Sequence, residues 1–531
     1  MKKLNIFILF LSASILFSCD HLLDQVNPNL PTVDDHWNNA DQAFAGATAL
    51  YNALITDGAY MRTLVGAADS RGDDFKGDSP DVRIVQIGKF IAQSDQDMLS
   101  WIWRDMYILN FRANQVLTYV EGMSAEGEQR ILEPAQKNRI LGQAYFMRAL
   151  AYFNLANNFQ VVPLITALPQ TEADYYPETA TQDEIWAQII SDLQMAESLL
   201  PLDYLSVSGP DNGHIGRATA GAAAGLLGKV YVYRQMWTEA KGQFEKFFTG
   251  AYKDIYDLAP EYAHNFDEAH ENNVESLFEV QFTTVGGTDH NWAGDPNANW
   301  KALSGLAVSY AMPDRGWSDY TPTTWIHQEY KKERTADGKL DPRLKITLAS
   351  YEAEGEDDWN LAYGNPWFHD QDAVYCSKWT GNRIGYSDDW TLDISGGINY
   401  RVLRFADILL LYAETLNELG QTADAYPYIQ RVRTRAGLAD LATTMPGLSQ
   451  DQMREQLYHE RALEFAIEGQ RIFDIIRWGW LYDSSMLEEL KARDDDFETW
   501  VPGREYLPIP RTELDNNPNL SPNDANRASG N

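Results

Sequence analysis

The sequence predicts a mostly α-helical protein, with a scaffold of tetratricopeptide-like helical repeats and a loop-rich, irregular insert that carries short strands. Two observations predict the scaffold: apolar residues recur at spacings of three and four, and two stretches have the length of helical hairpins. A third observation predicts the insert, because residues 260–400 lose this period and are rich in proline, glycine and tryptophan.

Long stretches of the chain carry the helical period. Between residues 136 and 159, Ile140, Ala144, Met147 and Leu155 fall on one stripe, which is typical of a helix that packs on a core. Thr181 or Asp183 is a suitable N-cap for another helix. The predicted helices begin near residue 41 and cover residues 101–119, 136–159, 183–200, 403–419 and 451–480.

Two of these stretches are predicted as helical hairpins, at residues 217–248 and 402–436. In the first, the small residues Ala220, Ala224 and Gly228 allow two helices to approach closely. A unit of about 34 residues cannot bury its apolar face alone, so several units are expected to stack. Each could equally be an ordinary antiparallel helix pair.

The insert at residues 260–400 contains two strand-like runs, at 276–282 and 374–379. Half of the 16 tryptophans lie between Trp292 and Trp390. A long irregular region in a helical protein is usually functional or disordered, and this aromatic content argues against disorder. We therefore expect the insert to bind a ligand.

The first residues have the pattern of a secretory signal. Lys2 and Lys3 precede a short apolar run that ends at Ser18-Cys19, too short to span a membrane. The end of the run resembles a bacterial lipobox, which predicts a signal peptide at 1–18 and acylation of Cys19. Residues 19–40 are then the lipidated N-terminus and tether, and 41–531 the folded body. An ordinary cleaved signal with a chance cysteine is the alternative.

Composition narrows the class of ligand. The formal net charge is −34, which argues against nucleic acid as a partner, since phosphate binding requires clustered Lys and Arg. It also disfavours adsorption to an anionic lipid surface, so attachment to a membrane would depend on the lipid anchor. Cys376 is the only cysteine besides Cys19, and we expect it to be a buried thiol without a special role.

Several segments carry a family resemblance. GQAYFMRALAYFNLANNFQVVPLI (142–165), YRVLRFADILLLYAETLNELG (400–420), VRTRAGL (432–438), ERALEFAIEGQRIFDIIRWG (460–479) and REYLPIPRTELDNNPNLSPN (504–523) occur in this order behind the lipobox. Together they resemble the signatures of SusD/RagB-type outer-membrane lipoproteins. The closing segment departs from the usual pattern at Pro522, where glutamine is common.

The resemblance implies a function as well as a fold. Members of this family are mostly helical, with tetratricopeptide-like units, and bind oligosaccharides at the cell surface. They work beside a SusC-type TonB-dependent outer-membrane transporter and perform no covalent chemistry on the ligand. We therefore expect a non-enzymatic, lipid-anchored protein that faces the cell exterior. A surface-anchored glycoside hydrolase and a peptide-binding or structural component of the transporter complex are the alternatives.

Candidate ligand-binding residues follow from sugar chemistry, because C–H faces stack on aromatic rings and hydroxyl groups need fixed polar partners. The first candidates lie in the insert, in the region where the family carries part of its site: Trp292, Trp300, Trp317, Tyr320 and Trp325. A loop at 69–83 is the second neighbourhood, with Arg71, Asp73, Asp74 and Phe75, and the third set is Trp359, Trp367 and Trp390. Any of these rings could instead fill the core of the insert.

No cofactor, catalytic residue or metal site is predicted. The chain lacks the common hydrolase and nucleotide-binding motifs. Residues 295–306 begin like an EF-hand loop but have Leu306 where the bidentate glutamate belongs. Asp494-Asp495-Asp496 is predicted as a solvated turn, and a structural calcium ion stays open without a motif to support it.

Charged residues in the signature segments are expected to hold the fold together. Charges of both signs recur between Arg461 and Arg477 at spacings that permit ion pairs. Asp407 and Glu414 are expected to bind neighbouring arginines such as Arg433 and Arg435.

Overall fold

The structure is a computed structural model that describes residues 37–127, 130–284, 302–355, 357–362, 365–380 and 396–530. The predicted signal peptide, Cys19 and nearly all of the tether lie outside these residues and stay predictions. The helices before the insert are α1 (Ala40–Asn52), α2 (Thr63–Asp69), α3 (Val82–Gly88), α4 (Asp97–Glu121), α5 (Pro134–Phe159), α6 (Gln182–Leu199), α7 (Ala220–Tyr233) and α8 (Trp237–Phe248).

The insert contains the short helices α9 (Leu306–Tyr310), α10 (Thr324–Lys332) and α11 (Arg343–Thr347). After it come α12 (Phe405–Glu418), α13 (Thr422–Arg435), α14 (Leu441–Thr444), α15 (Gln450–Phe465), α16 (Arg471–Arg477), α17 (Ser484–Arg493), α18 (Arg511–Asn516) and α19 (Asp524–Ala528). The strands are short: β1 (Phe75–Gly77), β2 (Ser276–Val280), β3 (Tyr320–Pro322), β4 (Leu348–Ser350), β5 (Leu361–Ala362), β6 (Asn365–Pro366), β7 (Val374–Cys376) and β8 (Tyr400–Arg404). The predicted fold class is confirmed.

The long helices form one continuous scaffold. From α4 to α8, each helix packs against the next one in the chain. The packing continues with helices that follow the insert in sequence. Helix α8 packs on α12, and α12 packs on both α13 and α15. Helices on the two sides of the insert therefore share one core, as stacked helical repeats do.

Both predicted hairpins exist. Residues 234–236 join α7 to α8, and residues 419–421 join α12 to α13. In the first, Gly228 lies directly against Phe244, where a Cβ atom would stand 2.4 Å from the ring. In the second, Gly420 turns the chain with a φ of 75°, which favours glycine.

The insert leaves and rejoins the scaffold at one place. Its entry strand β2 pairs antiparallel with its exit strand β8, from Ser276 opposite Arg404 to Val280 opposite Tyr400. The strand predictions at 276–282 and 374–379 are thus confirmed in shortened form as β2 and β7. The insert is less irregular than its composition suggested, since α9, α10 and α11 lie within it.

The predicted helix at 451–480 is interrupted. Helix α15 ends at Phe465, and the chain takes left-handed backbone angles at Ile467 and Gly469 before α16 begins. The break exposes backbone groups to partners: the Gly469 N–H donates to Asp69 at 2.7 Å, and the Ile467 carbonyl accepts from Trp379 at 2.7 Å. These tertiary hydrogen bonds override the helical period.

Buried ion pairs join the scaffold to the insert. Arg404 pairs with Glu275, Glu464 and Glu468, and all four side chains are buried. Arg343 of the insert reaches Glu464 as well, at 3.1 Å. Charged residues of the signature segments therefore hold the fold, as predicted.

The expected partners of Asp407 and Glu414 were wrong. Asp407 pairs with Lys229 and Arg461, both within 2.8 Å. Glu414 pairs with Arg477 at 2.5 Å. The sequence spacing pointed to arginines of α13, but these two carboxylates meet Lys229 of α7, Arg461 of α15 and Arg477 of α16 instead.

Two further expectations concern single features. Cys376 is a buried thiol at the end of β7, as predicted. Among the described residues, none of the helices combines the length and the apolar character that crossing a bilayer requires.

Candidate functional site

A tight turn at residues 312–318 carries the most exposed tryptophan of the predicted site. The turn is closed by backbone hydrogen bonds, including Trp317 N–H to the Val308 carbonyl at 2.7 Å. Asp314 and Ser318 take left-handed backbone angles, with φ of 68° and 52°. Non-glycine residues rarely adopt such angles outside constrained sites, so the surrounding structure holds the turn in place.

Trp317 lies at the surface beside a fixed cation. Its side chain is 41% exposed. The guanidinium carbon of Arg62 stands 5.8 Å from the ring centroid. Arg62 is itself held by a two-pronged pair with Asp57, at 2.9 and 2.8 Å. A cation against one side of the indole orients the ring and leaves part of it open to solvent.

A second exposed ring lies across the same turn. Phe368 is 45% exposed, and the guanidinium carbon of Arg315 stands 5.8 Å from its centroid. Behind Phe368, the rings of Trp367, His369 and Tyr375 contact one another, with His369 and Tyr375 centroids 5.0 Å apart. We call the exposed face formed by Trp317, Phe368 and the half-buried rings of Trp367, His369 and Tyr375 the aromatic surface.

The antiparallel pair of β4 and β7 supports this surface. Ala349 of β4 lies opposite Tyr375 of β7. Both side chains belong to a small apolar cluster with Ala311 and Met312, which begins the turn. Successive side chains of a strand point to opposite faces, so the neighbours of Tyr375 face away from the aromatic surface.

The opposite face borders a polar cleft of about 630 Å³. Its lining includes His327 and Lys331 of α10, together with Glu352 and Asp372. Glu352 accepts hydrogen bonds from His327 at 2.5 Å and Lys331 at 2.8 Å. Burial raises the pKa of Glu352, but these bonds outweigh burial and lower it to about 2. The cleft offers mainly polar side chains, and its aromatic rings are those of His327 and Tyr351.

The structure separates the predicted residues of the insert. Tyr320 is buried and stacks on Tyr310 at 4.6 Å, so its ring fills the core and is not available to a ligand. Trp325 is half-buried between Arg471 and Arg493, whose guanidinium carbons lie 5.4 and 4.4 Å from its ring. Trp317 alone among these three has a largely open ring.

Of the other predicted tryptophans, some belong to the residues that the structure describes and some do not. Trp292, Trp300 and Trp390 lie outside the described residues and stay predictions. Trp359 and Trp367 are half-buried. Trp359 lies beside Lys345, with the ammonium nitrogen 5.5 Å from the ring centroid. Of these two, only Trp367 belongs to the aromatic surface.

The second set of predicted ligand-binding residues, in the loop at 69–83, is wrong because these side chains are buried. Arg71, Asp73, Asp74 and Phe75 are all buried, so their side chains are out of reach of a glycan. Arg71 donates to the Glu505 carbonyl at 2.9 Å and to Asn158 at 2.7 Å. These residues tie the loop to the C-terminal tail and to α5.

The carboxylates of Asp73 and Asp74 show that this loop stabilises the fold. Asp73 pairs with Arg471 and Arg493, at 2.5 and 2.7 Å. Burial and the neighbouring charges of Asp73 and Asp69 raise the pKa of Asp74 to about 8. The alternating charges of the sequence were typical of a solvated loop, but long-range pairing with α16 and α17 buries them.

Sequence reasoning missed Phe368. The run Trp367-Phe368-His369 is a weak signal, since three successive aromatic side chains cannot all face one core. The sequence gives no reason to single out Arg315, whose guanidinium group lies over the ring of Phe368. Their pairing depends on β7 bringing residue 368 to the turn, which no local pattern predicts.

Comparison with known families identifies the chain. A model described as "SusD family" matches residues 274–525, and one described as "Starch-binding associating with outer membrane" matches residues 82–232. The match to residues 82–232 ends within α7, and the match to residues 274–525 includes the rings of the aromatic surface, the second hairpin and most of the C-terminal tail.

Similar proteins cover nearly the whole chain. A SusD-like protein P25 of Formosa agariphila is 26% identical, with 99% of each chain covered. A crystal structure of a SusD superfamily protein from Bacteroides vulgatus is 27% identical, with a TM-score of 0.76 over 92% of this chain and 99% of that one. A laminarin-binding SusD-like protein is 25% identical, with a TM-score of 0.70 and the same coverage. Taken with the scaffold and the buried signature residues, these matches show that the chain belongs to the SusD family.

Proposed function

We propose that this protein binds oligosaccharides on the aromatic surface and does not cleave them. The single observation that carries the proposal is a pair of half-exposed rings at one rigid turn: Trp317 belongs to the turn, and Phe368 lies against Arg315 of the same turn. Rings fixed before binding lose little entropy when a ligand stacks on them.

The chemistry of the surface fits a sugar. Each pyranose ring offers its C–H faces to the side of Trp317 or Phe368 that the arginine leaves open, since the guanidinium carbon of Arg62 or Arg315 lies over one face of its ring. A stacked ring contributes roughly 1 kcal/mol beyond the area that it buries. Two such rings suit a dissociation constant in the range of roughly micromolar to millimolar.

Laminarin is the first glycan to test. The laminarin-binding relative resembles this chain over nearly its full length, which supports a β-glucan ligand. The name of the second family model mentions starch, so α-glucan is the competing choice. A panel of laminarihexaose and maltohexaose therefore separates the two by direct comparison.

Binding without cleavage is supported by the burial of two carboxyl groups whose pKa is raised, those of Asp69 and Asp74. Burial raises the pKa of Asp69 to about 7, which would suit an acid catalyst, but Asp69 is buried and accepts hydrogen bonds from Tyr310 and Gly469. Asp74, with its pKa near 8, is equally buried. Neither carboxyl group can reach a bound glycan.

The cellular setting extends the proposal. The lipobox at Cys19 supports a lipid anchor, and the name of the second family model supports association with the outer membrane. In this setting the protein captures glycan at the cell exterior and passes it to a SusC-like TonB-dependent transporter. Globomycin treatment, which blocks lipoprotein signal cleavage, should retain the signal peptide, and a pulldown with tagged protein should recover the transporter.

The binding site is tested by calorimetry with laminarihexaose. We expect the double variant Trp317→Ala/Phe368→Ala to bind about 10- to 100-fold more weakly, because two stacked rings are lost. Tyr175→Ala is the matched control, since Tyr175 is 68% exposed on a short turn at Glu172–Tyr175, far along the chain. Unchanged affinity in the double variant would place the site elsewhere. Release of reducing ends from the glycan would contradict the non-enzymatic role.

A further inference from the structure

The turn after α17 holds three consecutive aspartates in an unusual state. Asp494 and Asp496 are each only 4% exposed, whereas the Asp495 side chain is 81% exposed. The prediction of a solvated turn is therefore wrong for two of the three. Burying two carboxylates of like charge is unfavourable unless a cation, a proton or hydrogen bonds compensate the charge.

The groups around these three aspartates leave two carboxylate oxygens without a hydrogen bond. Asp494 Oδ1 accepts from the Asp496 N–H at 3.0 Å, and Lys89 Nζ stands 3.6 Å from Asp496 Oδ1. Lys76 Nζ stands 3.6 Å from Asp495 Oδ1. Within the described structure, the Oδ2 atoms of Asp494 and Asp496 are buried without a hydrogen-bond partner. Buried carboxylate oxygens in proteins are normally paired.

We propose that Asp494, Asp495 and Asp496 bind a calcium ion. One carboxylate oxygen from each residue lies within 4.8 Å of the other two. This spacing suits a shared Ca²⁺, whose oxygen ligands lie about 2.3–2.6 Å from the ion. The two buried Oδ2 atoms are fixed ligands, Asp495 closes the site from the solvent side, and water completes the shell.

Charge favours a divalent cation at this place. Three carboxylates face two ammonium groups, those of Lys76 and Lys89, so the cluster keeps an excess of negative charge. The long 3.6 Å contacts also show that neither lysine fully satisfies its carboxylate. Mg²⁺ suits the site less well, because it requires shorter bonds in a near-octahedral arrangement.

A proton is the competing occupant. Burial and the neighbouring charge of Asp496 raise the pKa of Asp494 to about 7. Calcium binds the ionised carboxylate, so its affinity should fall as the pH drops below about 7. If the cluster is compensated by protonation alone, calcium has no effect at pH 8 and stability changes only with pH.

The ion would join distant parts of the chain. Phe497 of the same turn packs on Phe90, with centroids 5.2 Å apart, and Thr499 donates to the Asp496 carbonyl. Lys76 belongs to β1 and Lys89 follows α3. Calcium would therefore fix the C-terminal turn against the segment 76–90, which makes it a stabilising ion and not a catalytic one.

The test measures the melting temperature of the full chain in detergent at pH 8, with EDTA or with 10 mM CaCl₂. A site with a dissociation constant of about 10⁻⁴ M, in the range of extracellular calcium modules, should raise the Tm by roughly 2–3 °C. Calorimetry with CaCl₂ should show one saturable site. MgCl₂ at the same concentration should have a smaller effect.

Substitutions distinguish calcium binding at this site from nonspecific calcium binding to an acidic surface. Asp494→Asn/Asp496→Asn should lose the calcium-dependent rise, and Asp495→Asn, whose exposed side chain does not affect folding, should weaken it. Asp515→Asn, at an exposed residue on α18, should leave it unchanged. An equal Tm in EDTA and calcium for the parent protein, or a full response in Asp495→Asn and the double variant, would overturn the proposal.

Discussion

The helical scaffold and the aromatic surface of the insert use their interactions in opposite ways. In the scaffold, charged side chains such as Arg404 and Glu464 are buried and paired with one another. At the aromatic surface, Arg62 and Arg315 stand beside half-open rings. The difference teaches that a charged side chain that is buried and ion-paired stabilises the fold. An aromatic ring that is exposed and held by a fixed cation is available to a ligand.

The largest expected effect comes from removing the centre of the scaffold network. Arg404→Met leaves Glu275, Glu464 and Glu468 buried with one partner fewer, which should cost about 3–5 kcal/mol of unfolding free energy. Urea unfolding measures it. Arg511→Met is the control, because its exposed pair with Asp515 should contribute less than about 1 kcal/mol. Similar losses in both variants would contradict the structural role of the network.

Close packing in the first hairpin should give the next effect. In Gly228→Ala, the new methyl group meets the ring of Phe244, so we expect a loss of about 1–3 kcal/mol. Gly242 lies on the other helix of the same hairpin with nothing within 4 Å of its Cβ position. Gly242→Ala should therefore stabilise the protein by about 0.5–1 kcal/mol. Thermal unfolding compares the pair, and equal signs would show that the hairpin is loosely packed.

A half-buried histidine between scaffold and insert, His459, should make stability depend on pH. Burial lowers the pKa of His459, but hydrogen bonds to Glu329 and Glu333, at 2.8 and 2.9 Å, outweigh burial and raise it to about 9. The folded pKa exceeds the unfolded value of about 6.5, so the stabilisation is complete below pH 6.5 and is lost as the pH rises through 9.

The size of this effect should be about 1–2 kcal/mol. It is measured as the difference in unfolding free energy between the parent protein and His459→Gln from pH 6 to pH 10. Other groups titrate at the high end, and the difference removes their common contribution. A difference that stays constant across this range would rule out the charged histidine.

The smallest expected change in stability belongs to the aromatic surface. Trp317→Ala/Phe368→Ala should shift the unfolding free energy by less than about 1 kcal/mol, because nearly half of each residue is already in contact with water. Its effect should appear in glycan affinity instead. A large loss of stability would mean that these rings support the insert, and the contrast with the scaffold would fail.

Local pattern predicted the long helices well because their apolar residues recur at the helical period, even where a helix such as α7 or α12 is buried on all sides. The hairpin α7–α8 follows from small residues and length, and Gly228 occupies the close contact that its size suggested. The interruption after Phe465 was not predictable, since it depends on Asp69 and Trp379, residues far away in the chain. The same is true of Arg71 and Asp73, which are buried because they bind distant groups: the C-terminal tail and α5 for Arg71, and α16 and α17 for Asp73.

The candidate site shows the same division. The sequence by itself determined the helical scaffold, the position of the insert and the abundance of tryptophan within it, because periodicity and composition are local properties. Only the tertiary structure decided that Trp317 stays open while Tyr320 is buried, and that Phe368 joins the turn. Exposure depends on which distant segments cover a side chain, and a linear pattern of residues does not contain that information.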